Sequence, residues 1–147
     1  MFRGTEKRMN IIQNISARPG YLHVEATGTF SLREAKKKFA EMMEAVARHR
    51  SGKVLFDARR VEGSPQFLDR FEYGKFAAET AATFEPRGVC FAYVLEKPLR
   101  DPERLGETVA RNRGMNISVF EQLDDALAWL GVAPIITPQA GAASQTH

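Results

Sequence analysis

Apolar residues recur at every second position over residues 21–30, which predicts a strand with one face against a core. Residues 11–17 predict an earlier strand, and residues 18–20 (Arg-Pro-Gly) predict the turn that joins the two strands as a hairpin. In this pattern His23 falls on the polar face of its strand. We expect no metal-binding role for it, because no ligand set at metal spacing is recognisable around it.

Elsewhere apolar residues recur at intervals of three and four, which predicts helices. Ser31 and Glu34 form an S-x-x-E capping box, a signature of a helix start. Ser64 is expected to cap a second helix with Pro65 as its first residue, and Asp101 is expected to cap a third. The predicted helices run from Ser31 to near Gly52, from Pro65 to the residue before Pro86, from Pro102 to Gly114, and over residues 121–131.

Three short apolar runs, residues 53–58, 88–96 and 116–120, predict further strands, the last of them at an edge. The order is then β-β-α-β-α-β-α-β-α. Helices that alternate with strands imply right-handed crossovers. The predicted fold class is therefore α/β, with a mixed, mostly parallel five-stranded sheet whose first strand is antiparallel at one edge. We expect one domain over residues 10–131, a flexible lead-in over 1–9 and a disordered tail over 132–147.

Length and composition narrow the class of protein. The chain has 147 residues, of which 44% are hydrophobic, enough for one core. Its apolar runs are far shorter than the roughly 20 residues that span a bilayer. Its charged N-terminal residues are not followed by the hydrophobic segment of a secretory signal. We therefore expect a cytoplasmic protein with no membrane span. The net charge of +3 is mild for a nucleic-acid binder, so no nucleic-acid partner is expected.

Charged residues follow the two strands that should lie at the centre of the sheet. Ligands of open parallel sheets bind beyond the carboxyl ends of the strands, near helix N-termini that favour anions. The sequence thus predicts a rim that binds a small anion or an acidic protein segment. The alternative, in which Asp57 bonds local backbone and the arginines pair with nearby acids, stays open. The residues predicted for the rim are Asp57, Arg59, Arg60, Ser64, Lys97 and Arg100.

Aromatic residues at the start of the second helix form a possible apolar patch beside this rim. The residues are Phe67, Phe71 and Tyr73, and Gly74 would allow a close approach. If exposed, such a patch would mark a protein or lipid contact. In the alternative, the phenylalanines belong to the core and Gly74 packs against a neighbouring strand.

Common catalytic motifs are missing from the sequence. It contains no G-x-x-x-x-G-K-[ST], G-x-G-x-x-G, G-x-S-x-G or H-E-x-x-H motif. Its three histidines fall at separate places, which leaves a Ser-His-Asp triad without an obvious base. We predict no catalytic residue, no cofactor and no metal site.

The stretch VLFDARRVEG, residues 54–63, is a hydrophobic strand ending in Asp57 and followed by a short loop and a helix start. This stretch and the order of elements resemble STAS domains, the superfamily of sulfate transporters and anti-sigma-factor antagonists with a SpoIIAA-like fold. The resemblance covers about residues 10–131 and implies a superhelix of βα units. Where the antagonists carry an Asp-Ser-Ser-Gly-like phosphorylation motif, this chain has Gly-Ser-Pro-Gln over residues 63–66. The resemblance therefore implies a partner-binding loop without the kinase switch.

These observations favour a small, non-enzymatic regulatory or binding module for a protein partner or small anion, with a homodimer possible. A second hypothesis is that the protein carries a lipid or other apolar small molecule. Its pocket would lie between helices and sheet and be lined by Phe67, Phe71 and Phe76. An uncharacterised enzyme is the third.

Overall fold

The structure is a computed structural model that describes residues 10–96 and 104–132. Within these residues the elements follow the predicted order. The strands are β1 (Ile11–Arg18), β2 (Tyr21–Thr29), β3 (Lys53–Glu62), β4 (Cys90–Val94) and β5 (Asn116–Phe120). The helices are α1 (Leu32–His49), α2 (Phe67–Ala81), α3 (Leu105–Asn112) and α4 (Leu123–Leu130). The predicted lead-in, and all but Val132 of the predicted tail, lie outside the described residues.

The strands form one sheet in the order β1-β2-β3-β4-β5. β1 pairs with β2 in antiparallel orientation, and the remaining neighbours are parallel. Gly20, with a φ of 87°, makes the tight turn between β1 and β2, and helices make the longer crossovers that parallel strands require. The predicted α/β fold class is confirmed, as is the edge position of β5.

Helices cover both faces of the sheet. Because successive strand residues point to opposite faces, Val54 and Leu55 enter different cores. Val54 packs in the larger core, which α1, α2 and α3 complete with Phe39, Met43 and Ala77 among others. Leu55 packs in a smaller core against Ala126, Leu127 and Leu130 of α4. The sheet is therefore the middle layer of three.

β3 is longer than predicted, since it continues beside β2 to Glu62. Between Glu25 and Thr27 of β2 the pairing register shifts from Asp57 to Arg60 of β3, so β3 carries a bulge. The prediction that the strand ends near Ala58 and that Arg59 and Arg60 lie in the loop after it is wrong. The physical reason is non-local, because β2 offers pairing partners beyond the point where β4 ends.

α1 begins as predicted, because the Ser31 hydroxyl accepts a hydrogen bond from the Glu34 backbone N–H at 3.2 Å. The start of α2 differs from the prediction. Its N-cap is Gln66 rather than Ser64, and the Asp69 carboxylate accepts from the Gln66 N–H at 2.9 Å. The extension of β3 leaves residues 63–66 to make the corner, so the helix starts two residues after Pro65 and ends at Ala81.

The described part of α3 begins at Leu105, and its predicted start at Asp101 and Pro102 lies outside the described residues. α2 and α3 approach closely at Gly74 and Gly106, since a Cβ on Gly74 would lie 2.5 Å from the carbonyl oxygen of Gly106. The close approach suggested for Gly74 is real, but its neighbour is a helix and not a strand.

Within the described ranges, no helix is both long enough and apolar enough to span a membrane.

Candidate functional site

Asp57 and Arg59 form a closed ion pair within β3. Asp57 Oδ1 accepts from the Arg59 backbone N–H at 3.1 Å and from Nε at 2.9 Å, and Oδ2 accepts from Nη2 at 2.7 Å. Burial alone would raise the pKa of Asp57, but the hydrogen bonds and charge of Arg59 outweigh it and hold that pKa below its ordinary value. The sequence left open the alternative that the rim arginines pair with nearby acids. Arg59 does so, because it pairs with Asp57.

His23 lies beside this pair and is only 8% exposed, so the polar face on which the sequence places it is covered at this position. It is enclosed because β1 and β3 flank β2 and supply neighbouring side chains. Arg18 Nη2 lies 3.4 Å from His23 Nδ1, and Glu25 lies 4.0 Å from Nε2. Burial lowers the pKa of His23 against the opposing charge of Glu25, which keeps the ring neutral at pH 7.

His23, Glu25 and Asp57 each offer a ligand atom, and these atoms lie within 4.8 Å of one another. The cluster nevertheless fits a cation poorly. Both Asp57 oxygens are held by Arg59, and a second guanidinium, from Arg18, faces the imidazole. A metal ion would have to displace these donors and would meet two positive charges. The arrangement is better described as a partly buried network of hydrogen bonds and ion pairs.

Two other predicted rim residues, Arg60 and Ser64, fall within the described part of the chain. Arg60 is exposed on β3, and Ser64 is exposed in the corner before α2. Lys97 and Arg100 lie outside the described residues. The binding role of this rim stays a prediction. The charge of Arg59 is already paired with Asp57 and would have to be shared with any ligand.

A cavity of about 590 Å³ lies between the sheet and the helices α1, α2 and α3. Its wall includes Val61, Leu95 and Phe120, which lie at or just past the carboxyl ends of β3, β4 and β5. This is the edge at which open α/β sheets bind ligands. The volume is within the range of about 300–1,000 Å³ that small-molecule sites occupy.

The wall of the cavity is mainly apolar, with aromatic residues from strands and helices. The aromatic members are Phe30, Phe39, Phe56, Tyr73, Tyr93 and Phe120. The sequence had suggested Phe67, Phe71 and Phe76 instead, and these do not line it within the described residues. The charged members come from the N-terminal halves of helices or from the turn before α4, and include Lys38, Asp69, Arg70, Arg104, Glu107 and Glu121.

Two tyrosine hydroxyls meet in this wall. Tyr73 Oη and Tyr93 Oη are 2.6 Å apart, although the residues lie on α2 and β4. The ring of Tyr93 packs on Phe56 with centroids 4.6 Å apart, and the rings of Tyr73 and Phe39 meet nearly at right angles with centroids 6.1 Å apart. Sequence reasoning missed this pair, because nothing local marks residues that meet across a helix and a strand.

Glu107 is a buried carboxylate, with 3% of its side chain exposed, that ties α3 to β5. Its Oε1 accepts from Arg104 Nε at 2.6 Å, and its Oε2 accepts from Arg104 Nη2 at 3.1 Å. Oε2 also accepts from the backbone N–H of Val119 at 3.3 Å. Glu107 therefore fixes one side of the cavity, a role that the helical pattern of the sequence does not reveal.

The possible aromatic patch exists only in part. Phe67 is 68% exposed, and its neighbour Leu68 is 66% exposed. Phe71 is partly buried beneath Arg113, whose guanidinium carbon lies 5.7 Å from the ring centroid, and Tyr73 lines the cavity. The exposed apolar pair is thus Phe67 and Leu68, at the first turn of α2.

Comparison with known proteins agrees with this fold. The profile of the family described as SpoIIAA-like matches residues 21–131. An anti-sigma factor antagonist from Mycobacterium paratuberculosis has a TM-score of 0.57 at 17% identity, over 83% of this chain and 95% of its own. A protein with a SpoIIAA-like fold from Shewanella loihica has a TM-score of 0.50 at 18% identity, over 82% of this chain and 94% of its own. No curated protein matches the chain in sequence.

Proposed function

Since this chain belongs to the SpoIIAA-like family, we propose that it is a non-enzymatic binding module whose cavity takes an apolar small molecule. The observation that carries the proposal is the cavity of about 590 Å³ with its mainly apolar wall. A recess of this volume, mainly apolar and placed at the carboxyl ends of parallel strands, has the usual form of a small-molecule site.

The apolar wall also argues for the class of ligand. The part of the wall formed by Phe39, Phe56 and Ala77 offers no polar side-chain partner to water, which needs two to four of them in a cavity. An apolar molecule loses its own unfavourable hydration on entering such a space. Among the functions that the sequence leaves open, the carrier of an apolar molecule fits this geometry better than the anion site, because Asp57 already pairs with Arg59.

A fluorescence titration with N-phenyl-1-naphthylamine, a neutral apolar probe, tests the proposal. We expect saturable enhancement with the full chain. Ala35, on α1, lines the cavity, so Ala35→Phe should fill part of it and weaken probe binding by about tenfold or more, equivalent to about 1.4 kcal/mol. Ala47→Phe, on the same helix but away from the cavity, is the matched control and should bind as the wild type does. Absence of enhancement, or equal binding by Ala35→Phe, would refute the proposal.

A second candidate function is regulatory binding of a protein partner at the corner before α2. It is supported by the exposed Phe67 and Leu68 beside the exposed Ser64, and by the likeness in fold to an anti-sigma factor antagonist. The test uses the full chain as bait to capture a partner protein. A partner that binds the wild type and Glu79→Gln, on the far part of α2, but not Phe67→Ser/Leu68→Ser, would favour this candidate. Equal capture by both variants would count against it. A cytoplasmic location and a homodimer remain predictions from the sequence.

A further inference from the structure

The hydroxyls of Tyr73 and Tyr93 have one hydrogen-bond donor more than their mutual bond uses. Each phenol carries one O–H, and only one of the two protons can lie between oxygens that are 2.6 Å apart. Within the described ranges, the partner of each hydroxyl is the other. The pair therefore keeps one O–H free to donate. Buried tyrosine hydroxyls usually find a partner for that proton.

Both tyrosines line the cavity, and their hydroxyls stay protonated. Burial raises the pKa of Tyr73 and Tyr93 above the ordinary value for tyrosine. Each is thus a neutral donor at neutral and mildly alkaline pH. Contacts of the two rings with Phe39 and Phe56 hold the pair in place, so little ordering is needed when a ligand binds.

We propose that Tyr73 and Tyr93 form the polar anchor of the cavity, and that its ligand is an apolar molecule with a carbonyl-type acceptor. The proposal rests on the proposed function and deepens it by naming the ligand class. The acceptor is uncharged, as in a ketone, an ester or an undissociated acid. Two cations of the wall, Lys38 and Arg104, are already paired with Glu41 and Glu107, so a charged ligand group would lose hydration that a single phenol donor does not replace.

Benzophenone and diphenylmethane are a suitable pair of probes, because they share a carbon skeleton and differ in one carbonyl group. Each is used to displace N-phenyl-1-naphthylamine from the wild type and from Tyr73→Phe/Tyr93→Phe. The double variant should bind benzophenone about 2- to 10-fold more weakly, the equivalent of one net hydrogen bond, and diphenylmethane unchanged. Either single variant still holds one hydroxyl proton, so each should keep most of its affinity for benzophenone.

The outcomes separate this inference from the proposed function. If the double variant weakens both probes equally, or neither, the tyrosine anchor is refuted while the apolar cavity stands. If the wild type binds neither probe, the proposed function fails and the anchor with it.

A measurement on the wild type alone covers the case in which the double variant does not fold. Benzophenone labelled with ¹³C at its carbonyl is bound to the full chain and observed by NMR. Donation from a tyrosine should move the carbonyl resonance downfield of its position in a hydrocarbon solvent. A bound resonance at the hydrocarbon position would overturn the inference.

Discussion

Arg59 donates to both carboxylate oxygens of Asp57, two residues earlier on the same strand, with the shortest N–O distance at 2.7 Å. Because 11% of the Asp57 side chain is exposed, removal of its partner leaves a largely buried carboxylate unpaired. Arg59→Ala should therefore lower the free energy of unfolding by about 1–3 kcal/mol. The adjacent, exposed Arg60 is the matched control, and Arg60→Ala should change it by about 0.5 kcal/mol or less. Equal effects of the two variants in urea denaturation would contradict this account of the pair.

The same pair predicts a dependence of stability on acid pH. Burial raises and Arg59 lowers the pKa of Asp57, and the net shift is downward from an unfolded value of about 3.9. A lowered folded-state pKa stabilises the protein above the unfolded pKa, and this contribution is lost as pH falls through the folded one. The difference in unfolding free energy between wild type and Asp57→Asn should be constant from about pH 8 to 5 and shrink below about pH 4. A difference that persists unchanged to about pH 2 would argue against a role for ionised Asp57.

At Gly74 we expect the opposite of the usual effect of a Gly→Ala substitution on helix stability. In most helix interiors Gly→Ala stabilises by about 0.5–1 kcal/mol. Here the new Cβ would lie 2.5 Å from the Gly106 carbonyl oxygen, and backbone cannot move aside as a side chain can. Gly74→Ala should lower the free energy of unfolding by about 1–3 kcal/mol. Gly52→Ala, whose Cβ would meet nothing within 4 Å, is the control, and thermal unfolding should show no loss for it.

Neutralising the buried carboxylate of Glu107 should lower the free energy of unfolding. Glu107→Gln replaces one acceptor oxygen with an NH₂ group that faces Arg104 or the Val119 N–H. We expect a loss of about 1–3 kcal/mol in chemical denaturation. Glu79→Gln, exposed on α2, should be within about 0.5 kcal/mol of the wild type. A loss no greater than that of the control would show that Glu107 does not hold α3 to β5.

The parts of the fold that depend on local signals could be predicted from the sequence. The strand over residues 21–29 and the Ser31 cap of α1 are marked by neighbouring residues, and both are present in the structure. The sequence does not reveal the N-cap of α2, because Ser64 followed by Pro65 is the stronger local signal and Gln66 is not a preferred N-cap residue. The end of β3, fixed by the bond from the Phe30 N–H to the Glu62 carbonyl at 2.8 Å, decides between them.

The site was less predictable than the fold, because a cavity is a property of packing among distant residues. Tyr73 and Tyr93 are 20 residues apart and meet only when α2 crosses the sheet. Arg59 was expected at a rim for a ligand, whereas the bulge in β3 places its guanidinium against Asp57. The sequence predicts a site at the carboxyl ends of the strands, where Val61, Leu95 and Phe120 also line the cavity, but it does not predict the cavity itself.

The most direct test of the central claim is where a small apolar molecule contacts the protein. Methyl NMR of the full chain, titrated with diphenylmethane, should show saturable shifts at Ala77 and Ile117, which line the cavity. The methyl groups of Leu127 and Leu130, buried under α4 on the opposite face, should stay unchanged. Shifts confined to the exposed Leu68, or no saturable shift at Ala77 and Ile117, would contradict the cavity as a binding site.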